Sequence, residues 1–257
     1  PRGGWWNYGG ILREVYLRRI DGLDFSTVDV RPDLPCSACA ATVSYSATVR
    51  NYDARARKAV ITARLGAKTV KLGTVTVGPH QFVRVTRAVV VKRPHLWSPS
   101  DPYLYDVSLS ARGDGGLLQR YTVKTGIRSI KVVAGHLMLN GKPLNFRGFG
   151  IHEDWPGLGF AIGNAQRDQQ IAWARQSGAL LLRSHYPLHP HYYEELDRLG
   201  MLAWVEVPVY SIKTQYLKRL TVRKLAAREL ATAVLTNRTH PSVIVWSVGN
   251  ELSSNPG

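Results

Sequence analysis

The spacing of apolar residues changes near residue 144, and this change constrains the fold more than any other feature of the sequence. From about Phe25 to Arg128, apolar residues alternate with polar ones in short segments, as in Val43, Tyr45 and Ala47, and turns rich in Gly, Pro and Asn or Asp separate the segments. A period of two predicts strands with one buried face. We therefore expect an antiparallel, immunoglobulin-like β-sandwich of about one hundred residues.

After residue 144 the pattern becomes strand, loop and helix, repeated. Strands are predicted over 145–151, 179–183, 201–207 and 242–248, with helices over 165–177 and 190–199. A longer amphipathic helix, with Leu220, Ala227, Leu230 and Val234 on one stripe, precedes Pro241. This alternation predicts a parallel sheet covered by helices, which is either doubly wound or a (β/α) barrel.

Polar residues at the carboxyl ends of the four strands favour the barrel. These residues are His152-Glu153-Asp154, Arg183-Ser184-His185, Glu206, and Asn250-Glu251. In barrel enzymes the chemistry lies at this end of the strands. None of the turns carries a glycine-rich nucleotide-binding motif, which weakens the doubly wound alternative. The sequence thus predicts a β-sandwich followed by the first half of a (β/α)8 TIM barrel.

The net charge of +16 raises the question of a polyanionic partner. Between Arg50 and Arg93 there are eleven Lys or Arg residues and one acidic residue, Asp53. Because no RNA-recognition or helix-turn-helix signature accompanies them, we favour a solvated basic surface and expect no nucleic-acid partner. A basic module that binds carbohydrate or nucleic acid without catalysis is kept as the alternative.

The lack of a long apolar run and the two cysteines further limit the class of protein. The sequence has no run of eighteen apolar residues, so no membrane span is expected, and localisation stays open. Cys36 and Cys39 form one C-x-x-C, which lacks half the ligands of a zinc site. We expect a pair of small residues near a strand start, with no metal or redox role.

Several motifs, in a fixed order, identify a family. They are the stretches 6–17 (WNYGGILREVYL), 96–99 (LWSP), 102–105 (PYLY), 126–128 (GIR), 139–143 (LNGKP), 147–148 (RG), 152–154 (HED), 183–187 (RSHYP) and 240–251 (HPSVIVWSVGNE). Together they resemble glycoside hydrolase family 2, the family of β-galactosidases and β-glucuronidases. The resemblance covers essentially the whole chain.

The resemblance implies a division into three parts. Residues 1–23 would be the C-terminal remnant of a jelly-roll sugar-binding domain, 24–130 the immunoglobulin-like sandwich, and 131–257 the N-terminal half of the TIM barrel. The chain would then be a fragment, inactive alone, because the family's nucleophilic glutamate lies on a later strand. Gly4 stands where relatives carry a sugar-contacting aspartate, so the sugar preference is left open.

The resemblance also implies a carbohydrate substrate and a retaining mechanism without an organic cofactor. A divalent cation occurs in some relatives but has no support in this sequence, and a homo-oligomer is compatible with a full-length relative. Glu251 would be the acid/base catalyst, facing a pocket near Arg183 and His185, since the acid requires a raised pKa.

Other residues receive supporting roles. Asn250 would bind the sugar 2-hydroxyl, with a helix N-cap as the alternative. Arg183 would hold the nucleophile, and His185 and His152 would contact sugar hydroxyls, although such histidines are often merely satisfied polar groups. Glu206, on the strand next to that of Glu251, is the rival nucleophile from spacing alone, but the resemblance gives it a supporting role. Trp155 is expected either to stack on a sugar or to fill the core.

Overall fold

The computed structural model describes residues 10–252. The chain divides into two compact units, which are treated separately below. One unit is Leu17–Leu144, and the other joins Asn145–Gly257 to Pro1–Tyr16. The small sheet that begins at residue 130 falls within the first unit, and the predicted division into three parts stays a prediction.

The first unit is a β-sandwich. Its large strands are β1 (Leu23–Asp33), β2 (Ala41–Asn51), β3 (Arg57–Leu65), β4 (Lys68–Val77), β5 (Phe82–Val91), β6 (Tyr105–Gly113) and β7 (Gly116–Thr125). One antiparallel sheet has the order β1-β2-β5 and the other has the order β4-β3-β6-β7. A third small sheet has the order β10-β9-β8, formed by β8 (Ile130–Val133), β9 (His136–Leu139) and β10 (Lys142–Pro143).

The alternation in the sequence explains the sandwich core. In β2, Val43, Tyr45, Ala47 and Val49 are buried while the residues between them are partly exposed. They belong to one cluster with residues of the other large sheet, such as Ile61. Side chains of a strand point alternately to its two faces, so the period of two places the apolar set between the sheets.

The cysteine prediction was wrong. Cys36 and Cys39, in the turn between β1 and β2, are joined by a disulfide. The turn brings their Cα atoms to 5.0 Å, and the backbone N–H of Cys39 donates to the carbonyl of Cys36 at 3.0 Å. That separation lies within the range a disulfide spans, and sequence spacing alone does not reveal the turn that produces it.

The second unit is built on a parallel sheet. Its elements are β11 (Gly148–Gly150), α1 (Asn164–Gln176), β12 (Leu181–Ser184), α2 (Pro190–Leu199), β13 (Leu202–Glu206), α3 (Thr214–Leu217), α4 (Leu220–Asn237) and β14 (Val243–Ser247). The strands pair in chain order, β11-β12-β13-β14, and every pair is parallel. A doubly wound sheet reverses its strand order at a switch point, whereas a barrel does not. The unit therefore has the arrangement of the start of a TIM barrel.

The two faces of this sheet differ in chemistry. One face presents Leu182, Ala203 and Val205, which share a core cluster with Ile171 of α1 and Leu196 of α2. Alternation along the strands directs Arg183, Trp204, Glu206 and Ser247 to the opposite face. The polar residues are therefore collected on the face away from the helices.

Helix α4 corrects one expectation. Leu220 is 58% exposed, and the buried residues of the helix are Ala233 and Asn237. Of the four residues of the predicted stripe, Leu230 alone packs against the core cluster of this unit. The first strand is also shorter than the predicted 145–151.

A polar anchor holds β14 in place at its amino end. The carboxylate of Asp197, on α2, accepts from the backbone N–H of Ser242 at 2.9 Å and contacts His240 Nδ1 at 2.6 Å. Asp197 is buried. This anchor fixes the start of β14, and thereby the position of Asn250 beyond its carboxyl end.

The predicted jelly-roll remnant stays a prediction. Residues 1–9 lie outside the described residues, and residues 10–22 contain no strand. Among residues 10–252, none of the helices combines the length and the apolar character that crossing a membrane requires.

Candidate active site

The centre of the candidate site is the carboxylate of Glu206, the last residue of β13. Its side chain is 0% exposed. Arg183 Nη2, from β12, donates to Oε2 at 2.9 Å, and Ser247 Oγ, from β14, donates to the same oxygen at 2.7 Å. His185 Nδ1 lies 2.7 Å from Oε1. Side chains at the ends of three neighbouring strands thus converge on one buried carboxylate.

These contacts determine the charge of Glu206. Burial alone would raise its pKa, but the hydrogen bonds from Arg183, Ser247 and His185, together with the charge of Arg183, outweigh burial and lower the pKa below its usual value. Glu206 is therefore ionised near neutral pH. A nucleophile must reach the sugar, whereas this carboxylate has no exposed surface and both its oxygens have donors. The geometry favours the supporting role over the rival nucleophile.

The same carboxylate orients His185. An ionised carboxylate only accepts hydrogen bonds, so His185 Nδ1 carries the proton of that contact. When the ring is neutral, Nε2 then presents a lone pair. His185 remains partly exposed and lies 6.2 Å, between ring centroids, from Tyr210. The residue can accept a hydrogen bond from a hydroxyl group of a ligand.

Arg183 connects Glu206 to Asn250. Its Nη2 also donates to Asn250 Oδ1 at 2.6 Å, and its guanidinium lies 5.6 Å from the centroid of the Trp204 ring. Arg183 Nε and Trp204 Nε1 are buried donors without an acceptor among residues 10–252. Leaving a buried donor unsatisfied costs about 1–3 kcal/mol. Arg183 and Trp204 are paired across β12 and β13, so these two donors lie side by side on the polar face of the sheet.

Asn250 is fixed by its backbone as well as by Arg183. Its N–H donates to the carbonyl of Val209 at 2.9 Å, and its carbonyl accepts from the N–H of Ser211 at 3.1 Å. These bonds continue the parallel pairing of β13 and β14. The side-chain oxygen of Asn250 is bonded to Arg183, which argues against the N-cap alternative and leaves the amide nitrogen to donate.

Glu251 does not have the surroundings expected from the sequence. Its side chain is exposed, and its Oε2 accepts from Ser211 Oγ at 3.1 Å. Its φ of 49° lies in the left-handed region, which is uncommon for residues other than glycine. The expected place beside Arg183 and His185 is taken by Glu206 and Asn250, and the left-handed backbone at Glu251 turns its side chain towards Ser211 instead.

His152 lies beside His185. Their ring centroids are 5.8 Å apart, and the hydroxyl of Tyr186 is 3.5 Å from His152 Nδ1. Burial, and secondarily the charge of His185, lower the pKa of His152, while Asp154 acts in the opposite direction. His152 is thus a neutral ring near neutral pH. The structure thus brings together the two histidines that were predicted to contact the sugar, His152 and His185.

Trp155 has one ring face occupied. It stacks on Trp173 of α1 with a centroid distance of 5.2 Å and an angle of 4°. Its backbone pairs with Gly159. Stacking on Trp173, which is itself half exposed, therefore covers one face of the ring, and only the other face could meet a ligand.

Several residues of the site escaped the sequence analysis. Ser247 lies on the same strand face as Val245, two residues before Gly249, so alternation along β14 was the available signal. Ser211 and Tyr210 follow β13 in a loop with no motif. No periodic pattern marks such a loop.

A second ionic network was also missed. Buried Glu153 accepts from Arg13 Nη2 at 3.0 Å and from the backbone N–H of His189 at 2.9 Å. Glu14 contacts Arg167 and His189 at 3.3 and 2.9 Å. A hydrogen bond from its own backbone and the contact with His189 lower the pKa of Glu14 to about 2. The network fastens segment 10–16 beside the loop after β11.

The described residues contain no metal-binding cluster: within 10–252, no three His, Cys, Asp or Glu side chains group closely enough to hold a metal ion.

Comparison with known proteins gives matches along nearly the whole chain. The protein-family model described as "Glycosyl hydrolases family 2" matches residues 23–128. The family model described as "Glycosyl hydrolases family 2, TIM barrel domain" matches residues 130–255. A β-galactosidase of Thermoanaerobacter pseudethanolicus is 26% identical over 244 residues, which are 94% of this chain and 32% of that protein. The chain thus spans about a third of that curated relative.

Solved structures agree on the fold. A β-glucuronidase of Bacteroides uniformis is 26% identical, with a TM-score of 0.77 over 90% of this chain and 28% of its own. A family 2 β-galacturonidase of Eisenbergiella tayi, bound to galacturonate, has a TM-score of 0.80 at 20% identity, over 90% of this chain and 41% of its own, and supports the fold alone. With two models of one family matching successive parts of the chain, the conclusion is that this protein belongs to glycosyl hydrolase family 2.

Proposed function

We propose that this chain supplies part of the active site of an enzyme that hydrolyses terminal β-linked sugars with retention of configuration. Glu251 is the acid/base catalyst, and a later strand of a (β/α)8 barrel contributes the nucleophile. The observation that carries the proposal is the buried, ionised Glu206, which orients His185 and, through Arg183, Asn250 at the carboxyl ends of parallel strands.

The chemistry requires two carboxyl groups about 5–5.5 Å apart. One protonates the glycosidic oxygen as its bond to the anomeric carbon breaks, and the other attacks that carbon. Water then hydrolyses the covalent glycosyl-enzyme, with the first carboxylate acting as base. Glu206 fits neither role, because its oxygens already accept from Arg183, His185 and Ser247.

The residues that contact the sugar follow from the contacts already made. Arg183 occupies the Asn250 oxygen, so the Asn250 amide nitrogen is directed to donate to the 2-hydroxyl. His185 Nε2 accepts from a neighbouring hydroxyl, since Nδ1 is bonded to Glu206. His152, beside it, extends the polar surface. Such hydrogen bonds strengthen as the ring approaches the transition state.

The place of the nucleophile is supported by the unsatisfied donors. Arg183 Nε and Trp204 Nε1 are buried without acceptors among the described residues. A carboxylate from a later strand would accept from both, and the guanidinium beside it would keep it ionised. This is the role predicted for Arg183 from the resemblance.

Glu251 needs only a modest rearrangement to act as the acid. Its contact with Ser211 joins two exposed groups. A hydrogen bond of this kind contributes about 0.5–1.5 kcal/mol. Substrate and the remaining strands can therefore replace that contact at small cost.

The identity of the sugar is tested with a panel of nitrophenyl glycosides. The relatives named above are a β-galactosidase, a β-glucuronidase and a β-galacturonidase. The panel contains nitrophenyl β-galactoside, β-glucuronide, β-galacturonide and β-mannoside, assayed with a polypeptide that contains this chain and continues the barrel. Turnover of none of them would contradict the proposal.

The identity of the nucleophile is tested by covalent labelling. A 2-fluoro analogue of the preferred sugar should trap the glycosyl-enzyme on a carboxylate beyond this chain. The Glu206→Gln variant should still be labelled at that residue, as should the control Glu194→Gln, whose side chain is exposed on α2. A sugar attached to Glu206 itself would overturn the assignment.

A further inference from the structure

One face of the sandwich concentrates positive charge. Strand register and burial direct six Lys and Arg side chains to the outer face of the sheet β4-β3-β6-β7, opposite the core residues Ile61 and Leu109. They are Lys58, Arg64, Lys71, Arg112, Arg120 and Lys124. Adjacent strands lie about 4.8 Å apart, so these charges share one surface of the sheet, which we call the basic face.

The charges on the basic face are largely uncompensated. Asp106, the acidic residue that the register places there, pairs with Lys124 at 2.6 Å. The other five cations form no ion pair with any residue in 10–252. The outer face of the sheet β1-β2-β5 differs, because Asp29 and Asp33 lie there among Arg31, Arg50 and Arg84. Of the two large sheets, the sheet β4-β3-β6-β7 therefore carries the greater excess of positive charge on its outer face.

Many residues between the cations carry hydroxyl groups, of which that of Ser110 is buried, while Val60 and Leu117 flank Arg112 in a further row. One row across the sheet reads Lys71, Thr62, Ser110, Arg120, and the next reads Thr69, Arg64, Ser108, Thr122. The register directs no aromatic side chain of these four strands to this face. Proteins that hold single-stranded nucleic acid stack its bases on aromatic rings, and those that read duplexes insert a projecting element into a groove. The basic face is formed by the strands of a sheet and carries no aromatic ring by register, so it lacks both features.

We propose that the basic face binds a linear acidic polysaccharide. The cations would pair with the regularly spaced carboxylates of the polymer, and Ser and Thr hydroxyls would bond its sugar hydroxyls. This function lies in the sandwich unit and involves none of the residues of the candidate active site. It would hold a polymeric acidic substrate on the protein independently of turnover.

The test compares two triple variants that lose the same charge, each made in a polypeptide that contains this chain and continues the barrel. Arg64→Ser/Arg112→Ser/Arg120→Ser removes three cations of the basic face, and Arg31→Ser/Arg50→Ser/Arg84→Ser removes three from the other sheet. Binding to polygalacturonate is measured by affinity electrophoresis at several salt concentrations, and far-UV circular dichroism checks the fold.

The expected result is a difference between the two variants. The basic-face variant should bind at least about 10-fold more weakly and lose about two units of the slope of log affinity against log salt, as three lost contacts imply. The control variant should change by less than about 3-fold. Equal losses would show that net charge alone is responsible, and absence of binding by the unaltered chain would also overturn the proposal.

A second measurement does not depend on variants. Polygalacturonate should protect Lys58, Lys71 and Lys124 from acetylation, as read by mass spectrometry, while Lys218 and Lys224 of the other unit stay reactive. Neutral dextran should protect none. If single-stranded DNA of equal charge protected the same lysines at lower concentration than polygalacturonate, the assignment to a polysaccharide would fail. Because none of these assays involves turnover, their failure is distinguishable from failure of the proposed hydrolase function.

Discussion

Replacing Glu206 with Gln should destabilise the parallel-sheet unit by about 3 kcal/mol or more. The carboxylate is fully buried and accepts from Arg183, Ser247 and His185. The amide keeps the shape but removes the charge and turns an N–H₂ group towards donors. Removing one partner of a buried ion pair costs about 3–5 kcal/mol, because the other charge is left uncompensated. We take the lower end, since one amide oxygen still accepts.

The measurement is urea denaturation of a polypeptide that contains this chain and continues the barrel, followed by tryptophan fluorescence. Trp204, which lies against Arg183, is one of the seven tryptophans that contribute to this signal. In a thermal melt of the same polypeptide, a loss of about 3 kcal/mol would lower the Tm by about 6–12 °C. The control Glu194→Gln alters an exposed carboxylate and should change stability by less than about 0.5 kcal/mol. A loss below about 1 kcal/mol for Glu206→Gln would refute the reasoning.

The 257-residue chain alone should not hydrolyse nitrophenyl β-glycosides and should aggregate, because β14 ends the described sheet with unpaired backbone groups; a soluble monomer with a cooperative melt would contradict this. The lowered pKa of His152 means that the unfolded chain binds its proton more readily, so stability should fall as pH drops below about 6.5. His152→Asn should lack that part of the loss when denaturation midpoints at pH 7 and 5 are compared. Maleimide should label Cys36 and Cys39 only after reduction, and reduction should cost at most about 2 kcal/mol, since the closed loop is short. Labelling without reductant would contradict the disulfide.

The sequence predicted the elements of the second unit well because its signals are local. Helix α2 begins with Pro190 at its first position and ends at Gly200 in the left-handed region, as Pro and Gly at these places indicate. Polar residues after each strand also indicated which end of the sheet carries the site. Arg183, His185, Glu206 and Asn250 come together there.

The remaining features depend on long-range geometry, which periodicity does not encode. Glu251 follows Asn250 directly, and its left-handed backbone turns its side chain to Ser211, a residue 40 positions earlier in the chain. Arg183 was expected to hold a carboxylate from a later strand, whereas its Nη2 is bonded to Glu206 and its buried Nε has no acceptor among residues 10–252. The disulfide depends on a turn whose closure the C-x-x-C spacing permits but does not require.

The role of Glu251 as acid/base catalyst is tested most directly by the dependence of rate on the leaving group. The variant Glu251→Gln, in a polypeptide that continues the barrel, is assayed on a β-glycoside with a poor alkyl leaving group and on one with dinitrophenol. Loss of general acid catalysis predicts a fall in kcat/KM of about 10²–10⁴-fold for the alkyl glycoside and little change for the dinitrophenyl glycoside, which needs no proton. Equal losses on both substrates, or no loss on the alkyl glycoside, would contradict the account.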